Sequence, residues 1–142
     1  MKNAFWLFLI ISVCSCKPYA SVVRHALSEE NVPYSKAVIA NGLIYASGQL
    51  GINPQTNLLQ PDLESQTRQV MDNLRILLEQ HHSGMQHIIK VNLYLKDISQ
   101  LQRVNEIYTG FLSERKPART SVQINALPLG ALIEIDCIAL VK

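Results

Sequence analysis

Arg119, Ser121 and Glu134 are the residues whose types and setting could do chemistry. An arginine near the start of a strand offers a planar fork that matches a carboxylate with two parallel hydrogen bonds. Glu134 is flanked by Leu132, Ile133 and Ile135, and partial desolvation raises a carboxyl pKa towards the range where it can carry a proton near neutral pH. In the run Ala118–Asn125, Arg119, Ser121, Gln123 and Asn125 alternate with Ala118, Thr120, Val122 and Ile124. In Leu132–Val141, Ile133, Ile135, Cys137, Ala139 and Val141 form one face, and Glu134 and Asp136 begin the other. Both residues fall on the polar faces of their strands, and parity permits Arg119 and Glu134 to project from the same side of one sheet, although spacing alone does not fix their distance. Ser47 and Gln49, with Tyr45, occupy the polar face of an earlier strand-like run. Asn105 interrupts the apolar stripe of a helix, where a buried amide needs partners. Together these residues describe an anion-binding acid/base site. An arginine and a glutamate on a polar face also make an ordinary structural ion pair, and the pattern does not choose between the two.

The elements that must position these groups are legible as periodicities. Strands are predicted at Ser21–Leu27, Lys36–Ala40, Leu43–Leu50, His87–Lys96, Ala118–Asn125 and Leu132–Val141. Asn41-Gly42 joins the second and third as a tight hairpin, since both residues tolerate positive φ. In His87–Lys96 the odd positions Ile89, Val91, Leu93 and Leu95 are apolar, against Lys90, Asn92 and Tyr94. One helix is predicted over Asp62–His82, with Leu63, Val70, Met71, Leu74, Leu77 and Leu78 on one stripe and Gly84 as the stop. A second, Ile98–Glu114, aligns Leu101, Val104, Tyr108, Phe111 and Leu112. Strands with unlike faces, alternating with two helices, predict an α+β domain whose sheet is covered by helices on one side only, in the order β-β-β-α-β-α-β-β.

Other chemistries lack their motifs. His25, His81, His82 and His87 have no zinc-ligand spacing, and no G-x-S-x-G, phosphate-binding glycine loop or C-x-x-C occurs. The 142 residues suit one domain. With 13 Lys+Arg against 11 Asp+Glu, the net charge of +2 is no electrostatic footprint for nucleic acid. A hydrophobic fraction of 48% excludes a disordered chain, and much of it is concentrated at the start. Lys2, the apolar run Ala4–Val13, and Cys14-Ser15-Cys16 before Lys17-Pro18 form a secretory-signal pattern. The run is shorter than the ~20 residues that span a bilayer as a helix. Val13-Cys14-Ser15-Cys16 resembles a bacterial lipobox, with Cys16 as the lipidated residue. Plain cleavage into the periplasm and an ordinary buried terminal segment are the alternatives. The expectation is a signal segment over 1–16 and a domain over 17–142, exported as a periplasmic or membrane-anchored protein, or cytoplasmic if the segment is not processed. Three cysteines make no disulfide framework, and Cys137 reads as a buried, inert thiol.

Five segments, taken together, carry a resemblance: Val32-Pro33-Tyr34-Ser35, Leu43-Ile44-Tyr45-Ala46-Ser47-Gly48-Gln49, Asn105-Glu106-Ile107-Tyr108, Pro117-Ala118-Arg119-Thr120-Ser121-Val122 and Ile133-Glu134-Ile135. In this order they resemble the RidA/YjgF family of reactive-intermediate (2-iminoacid) deaminases, over about Ser21 to Lys142. The resemblance implies a chorismate-mutase-like α+β subunit, a mixed sheet packed on two helices, and a homotrimer with sites in the clefts between subunits. It implies hydrolysis of enamines and imines such as 2-aminoacrylate to a 2-keto acid and ammonia, without cofactor or metal. By the same resemblance Arg119 clamps the substrate carboxylate and Glu134 deprotonates the attacking water. Tyr34, Ser47, Gly48, Asn105 and Ser121 bind and orient the substrate. Ser121 stands where members often have Cys, so thiol-based regulation is not expected, and Phe111–Pro117 is shorter than in some relatives. The expected partners are an imine, enamine or 2-keto acid and two further copies of the chain. Nucleic acid is not expected, and a membrane only through a lipid anchor. An exported trimer that binds a small carboxylate or acts as a chaperone without catalysis is the second expectation. Endoribonuclease activity is a third, and it fits poorly with the nearly neutral charge.

Overall fold

A computed structural model of the chain describes residues 33–142; the predicted strand Ser21–Leu27, the signal segment 1–16 and Cys16 lie outside the described residues. The described elements are β1 (Ala37–Ala40), β2 (Leu43–Leu50), α1 (Leu63–Gln80), β3 (Ile88–Leu95), α2 (Leu101–Tyr108), β4 (Ala118–Gln123) and β5 (Ile133–Leu140). The strands form one mixed sheet in the order β1-β2-β5-β3-β4. Only β3 and β4, joined through α2, run parallel; the other pairs are antiparallel. Asn41 and Gly42 close the β1–β2 hairpin with φ of 51° and 76°, the left-handed conformations that the Asn-Gly pair supplies cheaply.

Helix α1 begins at a reciprocal cap. Asp62 Oδ1 accepts from Ser65 N at 2.9 Å, and Ser65 Oγ accepts from Asp62 N at 3.3 Å. Its predicted stripe, Leu63, Val70, Met71, Leu74, Leu77 and Leu78, is buried throughout. The stop comes earlier than Gly84. His82 takes the left-handed position (φ 56°), Ser83 N reaches back to Leu78 O at 2.9 Å, and the helix closes without glycine. The second helix is shorter than Ile98–Glu114. Asp97 starts a 3₁₀ turn at Ile98–Gln100 by accepting from Ser99 N, α2 occupies only Leu101–Tyr108, and another 3₁₀ turn follows at Thr109–Phe111. Val104, Ile107 and Tyr108 are its buried residues.

The core lies between the helices and one face of the sheet. Ile44, Val91, Leu93, Leu95, Ile133, Ile135, Cys137 and Ala139 pack there against Val70, Leu74, Leu78 and Val104. In β3 the odd-residue pattern holds only from Val91 onwards. A register shift between Ile88 and Lys90 buries Ile88 instead and leaves Ile89 exposed. Cys137 is buried, and desolvation pushes its thiol up to about 12, so it is the inert core residue expected.

Candidate active site

Glu134 lies on the sheet face away from the helices. It pairs with Tyr94 of β3 and Leu50 of β2, while its neighbours Ile133 and Ile135 are fully buried on the opposite side. Opposite it, β2 carries a bulge: the register shifts between Ala46 and Gln49, so Ser47 and Gly48 together face the single residue Asp136. The Glu134 side chain fills the space above Gly48, because a Cβ built on Gly48 would lie 1.8 Å from Glu134 Oε1. The carboxylate is therefore seated on glycine backbone, and only glycine leaves that room. Burial is the main reason its pKa lies above the usual carboxylate range, with the Asp136 charge adding to it. Asp136 accepts from Asn92 Nδ2 at 2.7 Å and from Tyr94 Oη at 2.9 Å. That hydrogen bond is the largest cause raising the Tyr94 phenol, followed by burial.

A cleft of about 730 Å³ opens beside this carboxylate, lined among others by Tyr34, Ser47, Gly48, Leu50, Leu129 and Glu134. Ser47 Oγ donates to Ser35 O at 2.7 Å, and Ser47 N donates to Lys36 O at 2.9 Å, so this serine pins the segment carrying Tyr34 to the cleft. Leu129, 73% exposed, holds a left-handed conformation at φ 57° on the rim, a strain that bulky residues seldom accept.

Two residues missed by pattern reasoning hold this end of the sheet in place. Gln66 is buried on α1; its Nε2 donates to Gln60 O at 2.8 Å and its Oε1 accepts from Leu132 N at 2.8 Å, just before β5. Asn73 Nδ2 donates to Leu50 O at 3.0 Å and Ile52 O at 2.9 Å, tying the end of β2 to the same helix. Their one sequence signal is a polar residue on or beside an apolar stripe, where a buried amide needs partners.

Arg119 stands elsewhere. On β4 it is level with Val91, which pairs with Cys137, and both of those face the helices. Ser121 follows the same parity beside Leu93. The shared face that parity permitted for Arg119 and Glu134 is thus corrected: within one chain they project from opposite faces. Two strand spacings and three residues also separate them, roughly 10 Å across the sheet and roughly 10 Å along it. Arg119 belongs with α2. Its Nη1 donates to Asn105 Oδ1 at 2.7 Å, and its Cζ lies 5.1 Å from the Tyr108 ring centroid. The structure therefore divides the predicted residues into an acidic group (Tyr34, Ser47, Gly48, Glu134) and a basic group (Asn105, Arg119, Ser121). No cluster of three or more metal-ligating side chains occurs among the described residues, and no described helix is long and apolar enough to cross a membrane.

The family model described as Endoribonuclease L-PSP matches residues 24–141. A RutC family protein of Pyrococcus horikoshii is 40% identical over 108 residues, covering 75% of this chain and 86% of its own. The chloroplastic Reactive Intermediate Deaminase A of Arabidopsis thaliana is 37% identical over 126 residues, covering 84% of this chain and 67% of its own. Among solved structures, the Rid family protein YyfA of Yersinia pestis superposes with a TM-score of 0.78 at 41% identity, over 86% of this chain and 99% of that one. Escherichia coli TdcF with bound serine gives a TM-score of 0.75 at 26% identity, over 89% and 100%. The fold is the YjgF fold that the resemblance implied, and the chain belongs to the endoribonuclease L-PSP family, the group of the RutC and Rid proteins.

Proposed function

We propose that this protein hydrolyses 2-imino acids and their enamine tautomers to 2-keto acids and ammonia, at sites shared between copies of the chain in a homotrimer. The observation that carries the reading is the seat of Glu134: a desolvated carboxylate on glycine backbone at the edge of a cleft. Glu134 takes a proton from water as the water oxygen adds to the imine carbon. It returns that proton to nitrogen, and as the C–N bond of the tetrahedral adduct breaks the adduct's hydroxyl proton passes through Glu134 to the departing amine, so that both water hydrogens end on ammonia and the water oxygen becomes the keto oxygen. Arg119 holds the carboxylate of the substrate, with Asn105 fixing one of its nitrogens. Imines already hydrolyse in water, so positioning and proton transfer by one carboxylate, worth roughly 10²–10⁴-fold, suffice. No cofactor enters this chemistry.

Because Arg119 and Glu134 leave one chain on opposite faces, the site takes its arginine from one copy and its glutamate from the next. Ammonia release is measured on imines generated in place by an amino-acid oxidase. Arg119→Ala and Glu134→Gln should each abolish acceleration. Mixing the two inactive variants should restore about one quarter of the activity, because random association pairs an intact arginine with an intact glutamate at about one interface in four. No recovery on mixing would return both residues to one subunit, and full activity in either variant would remove its role.

A binding role without turnover is the second reading, favoured by the serine held by the Escherichia coli relative. Calorimetric binding of a 2-keto acid with no imine hydrolysis would select it. RNA cleavage that survives purification and is lost in Glu134→Gln would instead select the activity in the family's description. Export, with lipid on Cys16, is proposed from the Val13–Cys16 motif. A labelled fatty acid absent from Cys16 in a bacterial host removes the anchor.

A further inference from the structure

Arg119 sits on an edge strand that is exposed along most of its length, a setting in which a long side chain is ordinarily free to sample many rotamers. Here it is held from two sides by a single helix. Asn105 and Tyr108 are three residues apart on α2 and therefore share a face. Asn105 Oδ1 accepts from Nη1 at 2.7 Å, and the guanidinium carbon lies 5.1 Å from the centre of the Tyr108 ring. Tyr108 cannot move to follow it, being only 4% exposed and part of the core cluster with Val104.

We propose that Tyr108 is the positioning residue for Arg119: its ring supports the guanidinium from below, and with one nitrogen held by Asn105 the Nε–Nη2 edge is presented to a planar carboxylate. A flat cation lying on an aromatic ring keeps all its N–H groups in its own plane, directed outward, so stacking and bidentate carboxylate binding do not compete. The hydroxyl has no part in this. Tyr108 Oη is buried without a hydrogen-bond partner among the described residues, so the ring is the element that acts. The proposal rests on Arg119 being the carboxylate clamp.

Tyr108→Phe keeps the ring and Tyr108→Leu removes it. With imine substrates, Tyr108→Leu should raise KM about tenfold and change kcat less than twofold, while Tyr108→Phe should match the wild type. In ¹H–¹⁵N spectra of arginine side chains, the Arg119 Nε–H resonance should be displaced by the ring current in the wild type and in Tyr108→Phe, and should lose that displacement in Tyr108→Leu. An unchanged KM and an unchanged resonance in a folded Tyr108→Leu protein would overturn the proposal, as would a Tyr108→Phe protein as impaired as Tyr108→Leu. A wild-type protein that neither hydrolyses imines nor binds pyruvate would overturn the clamp itself, and with it the carboxylate as ligand; the resonance would still report whether the ring holds the arginine.

Discussion

Replacing Gly48 by alanine adds one carbon at the place where Glu134 now lies. The new Cβ would be 1.8 Å from Oε1, 2.7 Å from Cδ and 3.1 Å from Cγ of Glu134. Ordinary contact begins near 3.4 Å, so the near oxygen must retreat by about 1.6 Å. All three crowded atoms belong to a side chain that can rotate away, so the fold should tolerate the change. The chemistry should not, because a displacement of about 1 Å at a reacting group can cost about 10²-fold. The expected outcome is a kcat for imine hydrolysis about 10²-fold lower with the melting temperature within about 3 °C of wild type. Gly51→Ala is the contrasting control. There the added Cβ meets Gln66 Cα at 2.5 Å and Gln66 O at 2.7 Å, helix backbone that cannot turn aside, and overpacking of that kind costs about 1–3 kcal/mol of stability. A folded Gly48→Ala protein with undiminished kcat would refute the role given to the seat of Glu134.

In the proposed mechanism Glu134 works only when ionised, so the rate should fall on acidification, and at a higher pH than an unperturbed carboxylate would give. Asp136→Asn removes the second cause of that shift and should move the acid limb of the pH–rate profile to lower pH, while burial, the larger cause, remains. A limb that stays put would exclude Asp136 from tuning the base. The folded-state pKa of Glu134 lies above its unfolded value, so its favourable contribution is present below the unfolded pKa and is lost as pH rises through the folded one. Glu134→Gln should therefore raise the melting temperature at neutral pH relative to wild type and do so less at acid pH, as scanning calorimetry at the two pH values will show. Gln66→Leu leaves Leu132 N–H and Gln60 C=O without their partner and should cost about 2–4 kcal/mol in urea unfolding, the lower part of what two orphaned groups at about 1–3 kcal/mol each would give, because both are only part-buried.

Much of the architecture could be read because local chemistry and tertiary packing agree there. The α1 stripe is buried as its period requires, and Asn41-Gly42 makes the turn its φ freedom allows. Departures occur where a backbone device replaces the expected residue type. His82 ends α1 in a conformation usually left to glycine, and the shift between Ile88 and Lys90 turns Ile89 outward. Neither device leaves a mark on hydrophobic periodicity. The desolvation of Glu134 was legible from its apolar neighbours. The glycine beneath it was legible only as part of a family segment, because nothing in the local pattern shows which side chain will occupy the space a missing Cβ leaves.

The misassigned face of Arg119 has a more informative cause. Parity says which residues of a strand go together, and burial says which set faces the core. Of the six residues in β4 five are exposed and only Ser121 is half-buried, so the second signal is absent. Val122 and Ile124 then made their own set look like the inner one, whereas Val122 pairs with Tyr94 on the side away from the helices. That outer face is not simply polar: Tyr45, Val122 and Leu140 on it are 44%, 39% and 46% exposed. Apolar side chains exposed at separate points of an open sheet face fit the proposed assembly, which would cover them. The proposed reaction would use the same assembly, since Glu134 lies on the outer face and Arg119 over α2. The apolar residues that misled the reading of β4 are therefore what a strand must carry if its outer face is to be buried against another copy, and the assembly proposed for catalysis accounts for both.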